Sequence, residues 1–207
     1  NKKLKNINKK LLQLSKKISR IRKNNSKIFK EKVEQYLNEL NMSSTHLFLK
    51  LDEIDIVETG QDSCRFLIST NTGETPKDLS STISGGELSR IMLAIKLVMQ
   101  NKDLVKTLIF DEIDLGISGQ VADQVGNQIQ DLTESHQIIC ITHLSQIAGK
   151  GSNHIKIKKI KKDGRVFSVA KKLNNHERII EIASLISGKT ITDLSKQQAR
   201  ELIINNG

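Results

Sequence analysis

The chain has 207 residues, 37% hydrophobic and only 3% aromatic, with 33 basic and 23 acidic side chains and a net charge of +10. That length suits one domain with an appendage. No apolar run approaches the roughly eighteen residues of a membrane-crossing helix. Cys64 and Cys140 stand alone, which excludes a disulfide scaffold and a Cys-x-x-Cys zinc site and fits a reducing cytoplasm.

From the start of the chain, Leu4, Ile7, Leu11, Leu14, Ile18, Ile21, Asn25 and Ile28 alternate spacings of three and four. This heptad seam predicts a coiled-coil helix, about 42 Å long over residues 1–28 at 1.5 Å per residue. Phe29, Val33, Tyr36, Leu37 and Leu40 leave the strict seam, so the helix is expected to enter a globular head there, with the arm at 1–41 and the head at 42–207. Residues 1–32 carry thirteen Lys or Arg against Glu31 alone, leaving −2 for the rest of the chain. Such an arm suits either a nucleic-acid backbone or a solvated coil face. With Leu4 at position a, the g positions are Lys3, Lys10, Lys17 and Asn24. Self-pairing would therefore oppose like charges, and the coil fits an acidic partner helix.

Strands are predicted at His46–Val57 and Cys64–Thr70, followed by a loop over Asn71–Thr82 that holds the only proline, Pro76. Ser84 to Arg90 then runs Ser-Gly-Gly-Glu-Leu-Ser-Arg. Ser84 is a good N-cap, Gly85 and Gly86 let a backbone approach a phosphate, and Leu88, Ile91, Ile95 and Val98 continue at helical spacing. Alone, this is equally an ordinary capped helix.

Thr107 to Glu112 is Thr-Leu-Ile-Phe-Asp-Glu. Leu108, Ile109 and Phe110 predict a buried strand that delivers Asp111 and Glu112 at its carboxyl end, the usual ligand edge of an α/β sheet. A helix is predicted over 120–132. A second apolar strand, Ile138–Thr142, places Cys140 in the core and ends at His143. Further on, Ile155 and Ile157 alternate with lysines, Asp163-Gly164 marks a hairpin turn, and Phe167 and Val169 alternate again. Two helices close the chain, His176–Ser187 with Asn175 as cap and Gly188 as terminator, and Thr192–Ile204. Lys156 to Lys172 holds eight basic residues. Lys156, Lys158, Lys159, Lys161 and Lys162 are candidate DNA phosphate contacts, without sequence readout, because aromatic stacking groups are scarce. His46, His136, His154 and His176 lack clustered partners and are expected in surface or turn positions.

In order, these segments resemble the signature, Walker B and switch-histidine motifs of ABC-type ATPases. Ser-Gly-Gly-Glu-Leu-Ser-Arg, then Phe-Asp-Glu-Ile-Asp-Leu-Gly-Ile-Ser-Gly, then Ile-Thr-His-Leu-Ser-Gln-Ile-Ala is similar to the RecN family of SMC-like bacterial DNA repair ATPases. The likeness is dense from Thr82 to Gly151. It implies an α/β fold, the carboxyl-terminal lobe of an ABC/SMC-type P-loop ATPase head, with an amino-terminal antiparallel coiled-coil arm.

The resemblance also implies roles. Asp111 would hold Mg²⁺, Glu112 would orient or deprotonate water, and His143 would be the switch histidine. Ser84, Gly85, Gly86 and Glu87 would meet ATP held by a second head. Asp114, Leu115, Gly116, Ser118 and Gly119 would form the D-loop across that dimer. The implied activity is ATP hydrolysis in double-strand break repair and recombination, by a bacterial cytoplasmic, nucleoid-associated protein. Its partners would be a second head, DNA and its own amino-terminal half, with no membrane. No Gly-x-x-x-x-Gly-Lys-Ser/Thr loop occurs, and the chain begins inside a running heptad without Met. A carboxyl-terminal fragment, inactive alone, is therefore expected. Two alternatives remain open: an SMC-like tethering protein with little turnover, and an ABC transporter subunit, which the heptad arm disfavours.

Overall fold

The computed structural model describes residues 2–71, 73–79, 84–162 and 164–204. Most of the predicted loop before the signature turn is described. Thr72, Ser80, Ser81, Thr82 and Ile83 lie outside the described residues, as do Asp163 and the Lys162 side chain. The chain divides into two compact units, Asn1–Met99 and Gln100–Gly207.

In the first unit, the heptad run forms one continuous helix, α1 (Lys2–Glu39). Its seam residues are open to solvent, from 39% for Ile18 to 60% for Leu4 and Leu14. One turn past the seam the helix becomes core. Val33 and Leu37 are fully buried against Met42, Leu47, Ile68, Ile91, Ala94 and Ile95, with Phe29 and Tyr36 packed on that cluster. A Schellman motif ends α1. Asn41 is left-handed at φ 58, and the Met42 and Asn41 N–H groups donate to the Leu37 and Asn38 carbonyls.

Strands β1 (His46–Val57) and β2 (Gly60–Ser69) pair antiparallel, and the two-residue β3 (Lys77–Asp78) adds to β2 within the segment predicted as loop. The second strand starts earlier than predicted because Val57 pairs with Gly60 across a tight turn. That turn is gripped by α1. Arg22 donates to the Thr59 carbonyl at 2.7 Å and to Asp62 at 2.9 Å, and Ser19 donates to Asp62 at 2.9 Å. The signature segment opens α2 (Gly85–Met99), which buries Ile91, Leu93, Ala94, Ile95 and Leu97.

In the second unit, β4 (Thr107–Phe110) and β5 (Gln137–Cys140) pair parallel, with α3 (Gly119–Leu132) as the crossover. Parallel sheets are normally covered on both faces. Here only one face is. Leu108 and Phe110 are buried, whereas Ile109, Ile139 and Ile141 are 66%, 46% and 56% exposed. The expectation of a fully buried strand fails at Ile109 for this reason.

After the short α4 (Ser145–Ala148), β6 (Ile155–Lys162) and β7 (Arg165–Lys172) form the predicted hairpin. Helices α5 (Asn175–Ser187) and α6 (Asp193–Ile204) pack through Ile182, Ala183 and Ala199. The cap of α5 is Asn174 rather than Asn175. The physical reason is reciprocity: counting from Asn174 the third helical residue is Glu177, which returns the bond, whereas from Asn175 it would be Arg178, which cannot. Among the described residues, no helix is long and apolar enough to cross a membrane.

Candidate functional site

Asp111 and Glu112 follow β4 directly, and both are exposed. Glu112 has φ 57, a left-handed backbone unusual for a residue with a side chain. Such a conformation costs about 1 kcal/mol or more and tends to persist at functional sites. Nothing in the sequence announced it.

Two residues further on, the chain turns inward. Asp114 is 5% exposed, and its Oδ2 atom accepts from the Thr142 hydroxyl at 2.6 Å and the His143 backbone N–H at 2.9 Å, with His143 Nδ1 lying 3.0 Å from the same oxygen. The Thr142 hydroxyl in turn accepts from the Leu144 N–H at 3.0 Å. The end of β5 is thereby tied to the turn after β4, and the His143 ring stands out with its side chain 73% exposed.

The remaining predicted D-loop residues lie on the outside of this turn. Leu115 is 51% exposed, Gly116 and Gly119 have φ of 76° and 55°, and Ser118 is the N-cap position of α3. A cleft of about 540 Å³ opens beside them, lined in part by Ser118, Gly119, His143, Ser145 and Gln146. Cys140, expected in the core, is only partly buried. Burial first, then the Asp114 and Asp111 carboxylates, pushes its thiol up to about 12, which disfavours the thiolate form.

In the first unit, Ser84 and Glu87 form a reciprocal box. The Glu87 N–H donates to Ser84 Oγ and the Ser84 N–H donates to Glu87 Oε2, each at 3.3 Å. Gly85 is exposed and Gly86 buried. Arg90 is buried despite its charge, a placement that sequence spacing did not show.

The chain also contains Gly188-Lys189-Thr190, which has the ending of a phosphate loop. It sits at the carboxyl end of α5, where Gly188 is the C-cap at φ 72. That end of a helix carries carbonyls and repels a phosphate.

The candidate DNA lysines do not share one surface. Strand alternation puts Lys156 and Lys158 on one face of the hairpin and Lys159 and Lys161 on the other, and Lys162 pairs in register with Arg165. Lys156 is also ion-paired with Glu181. Of the unassigned histidines, His136 corrects the surface expectation. It is 6% exposed, with Nδ1 bonded to Ser135 Oγ at 2.7 Å. Partial burial pulls the His154 ring below its usual range.

The fold is that of an SMC head. A solved Smc head domain with a coiled coil and joint from Pyrococcus yayanosii matches over 91% of this chain and 35% of that one, at 18% identity and a TM-score of 0.59. A Pyrococcus furiosus Smc head with an extended coiled coil matches over 78% and 38%, at 19% identity and a TM-score of 0.52.

No protein-family model matches, but curated proteins do. DNA repair protein RecN of Bacillus subtilis is 45% identical over 150 residues, 72% of this chain and 26% of its own length. RecN of Rickettsia prowazekii is 42% identical over 175 residues, 84% and 32%. RecN of Halalkalibacterium halodurans is 38% identical over 178 residues, again 84% and 32%. The chain thus spans about a third of the length of the curated relatives it matches, in their carboxyl-terminal part, and it belongs to the RecN family.

Proposed function

We propose that this chain is the carboxyl-terminal half of an SMC-like ATPase that acts in DNA double-strand break repair and recombination, with ATP-driven head dimerisation coupled to holding DNA. The observation that carries the reading is the pairing of Asp111-Glu112, at the carboxyl end of a parallel strand, with a histidine held at the end of its neighbour.

Phosphoryl transfer requires mainly positioning and charge neutralisation. Mg²⁺ is typically held by one or two carboxylates together with phosphates and water. Among the described residues, no group of three or more His, Cys, Asp or Glu could hold a metal. Asp111, exposed at the end of β4, fits an ion that arrives with the nucleotide, where it would neutralise phosphate oxygens. Glu112 orients or deprotonates the attacking water, and His143 offers its ring to the nucleotide. Ser84, Gly85, Gly86 and Glu87 meet ATP held by the opposite head, and Leu115, Gly116, Ser118 and Gly119 line the contact between heads.

Residues 1–41 serve as the descending arm of an antiparallel coil and 42–207 as the head lobe. The partner for both is the amino-terminal half of the same protein. Two features favour this: the exposed seam of α1, and the uncovered Ile109, Ile139 and Ile141 face of a two-stranded parallel sheet. The candidate contacts to DNA phosphates in the bacterial cytoplasm are Lys158 on one face of the hairpin and Lys159 and Lys161 on the other, with Lys162 beside the turn and Lys156 weakened in that role by Glu181. ATP and Mg²⁺ are the cofactors.

The test is Glu112→Gln in this chain combined with its amino-terminal half. Nucleotide binding is expected to persist, with turnover reduced by at least about 10²-fold. Hydrolysis at the unaltered rate, or Mg²⁺-dependent turnover by this chain alone, overturns the reading.

A further inference from the structure

The buried carboxylate of Asp114 takes no direct part in the chemistry just described, yet it is the most heavily bonded side chain beside it. A carboxylate only accepts hydrogen bonds. All three groups that reach its Oδ2 must therefore donate: the Thr142 hydroxyl, the His143 N–H and His143 Nδ1. The Thr142 oxygen also accepts from the Leu144 N–H, so the hydroxyl both donates and accepts at this turn. The Asp114 side chain is 5% exposed, and the ring it holds is 73% exposed.

We propose that Asp114 is the positioning residue of His143: it holds the neutral ring in the Nδ1–H tautomer and directs Nε2 outward as the ring's contact atom. The selection follows from the bond itself, since the nitrogen facing the carboxylate must carry the proton and the other nitrogen is left with its lone pair. Isolated histidine has no such constraint. The backbone bond from His143 N–H to the same oxygen fixes the ring's point of attachment, so orientation and tautomer are set together. That Nε2 then meets the nucleotide rests on the reading proposed above. The tautomer assignment does not.

The experiment is a long-range ¹H–¹⁵N correlation on the whole ¹⁵N-labelled chain, at a pH about two units above the ordinary histidine range so that neutral rings are seen. His143→Gln assigns the signal among five histidines. The expected result is that His143 shows a protonated Nδ1 and a bare Nε2. Asp114→Ala removes the oxygen that faces Nδ1, so the Nδ1–H form should lose its selection and the Nε2–H form become populated. Thr142→Val removes one of the donors and leaves the ring bond, so it should keep the Nδ1–H form. This variant also preserves the test if Asp114→Ala does not fold.

A His143 found as the Nε2–H tautomer in the unaltered chain overturns the proposal. So does a tautomer unmoved by Asp114→Ala in a variant with unaltered circular dichroism, or one lost in a folded Thr142→Val. With the amino-terminal half present, Asp114→Ala should lower kcat by about ten-fold or more with little change in KM for ATP, the pattern of lost positioning. If Glu112→Gln leaves turnover intact while the tautomer results hold, the functional reading fails and this assignment stands.

Discussion

Helices α2 and α5 begin with the same device, and only one of them belongs to the candidate site. At α2, Ser84 and Glu87 exchange bonds of 3.3 Å each. At α5, Asn174 and Glu177 exchange bonds of 2.9 and 3.2 Å. The local physics is identical: two orphan N–H groups are satisfied reciprocally. The difference lies between the partners, where α2 has Gly85-Gly86 and α5 has Asn175-His176. Glycines let another backbone or a phosphate come close. In α5, moreover, Glu177 is already engaged by Lys171. A capping box thus starts a helix and says nothing of function. What fills the box, and what else reaches it, carries the functional information.

The largest effect that separates the two helix starts is steric. With the amino-terminal half present, Ser84→Arg should abolish ATP-dependent head dimerisation, measured by light scattering. Asn174→Arg should leave it unchanged. Equal dimerisation by both variants would make α2 an ordinary capped helix.

Truncating the caps should erase the contrast. Ser84→Ala and Asn174→Ala each lose a side-chain acceptor, and each should destabilise this chain by about 1 kcal/mol in urea titration. A clearly smaller loss at Ser84 would show that its longer bonds contribute little. Gly85→Ala sharpens the comparison from the other side. Gly85 is exposed within the first turn of α2, and alanine there should add up to about 1 kcal/mol of stability through helix propensity. ATP-driven dimerisation should weaken in the same variant. Gains in both would mean that the glycine serves no ligand.

These helix starts also show how far residue order alone reaches. The Ser84 cap was legible because Ser-x-x-Glu precedes an apolar helical run, and the α5 cap was missed by one residue because Asn174 and Asn175 are chemically equal and only the position of Glu177 distinguishes them. Seam residues of α1, the β4 strand and the turn at Gly164 were legible from period and turn chemistry. The covering of those elements was not. Period locates an apolar stripe but not its partner, so Ile109 reads as core and lies open. At the candidate site, Asp111, Glu112 and His143 were visible as residues at strand ends. The inward turn of Asp114 comes with bonds to Thr142 and His143, far apart in sequence, and no local pattern encodes it or the left-handed Glu112.

The smallest predicted difference is a pH effect confined to α5. The hydrogen bond from Lys171, and next the backbone N–H of Asn174, hold the Glu177 carboxyl below its ordinary range, near 4.3 in an unstructured chain. A depressed folded-state pKa means that the unfolded chain binds the proton more readily, so the stabilisation is complete above about pH 4.3 and fades as pH falls through the lower folded value. The Glu177 side chain is 32% exposed, and solvent screening keeps the effect modest. Hydrogen exchange of the first-turn amides of α5 should therefore accelerate selectively as pH drops below that range, once the intrinsic pH dependence is removed. Glu177→Gln keeps an acceptor for the Asn174 N–H but cannot titrate, so its first-turn amides should show no such pH-specific change. If the glutamine variant retains the same acid-induced opening, the titrating group lies elsewhere, and the box at α5 is held by the Asn174 side chain alone.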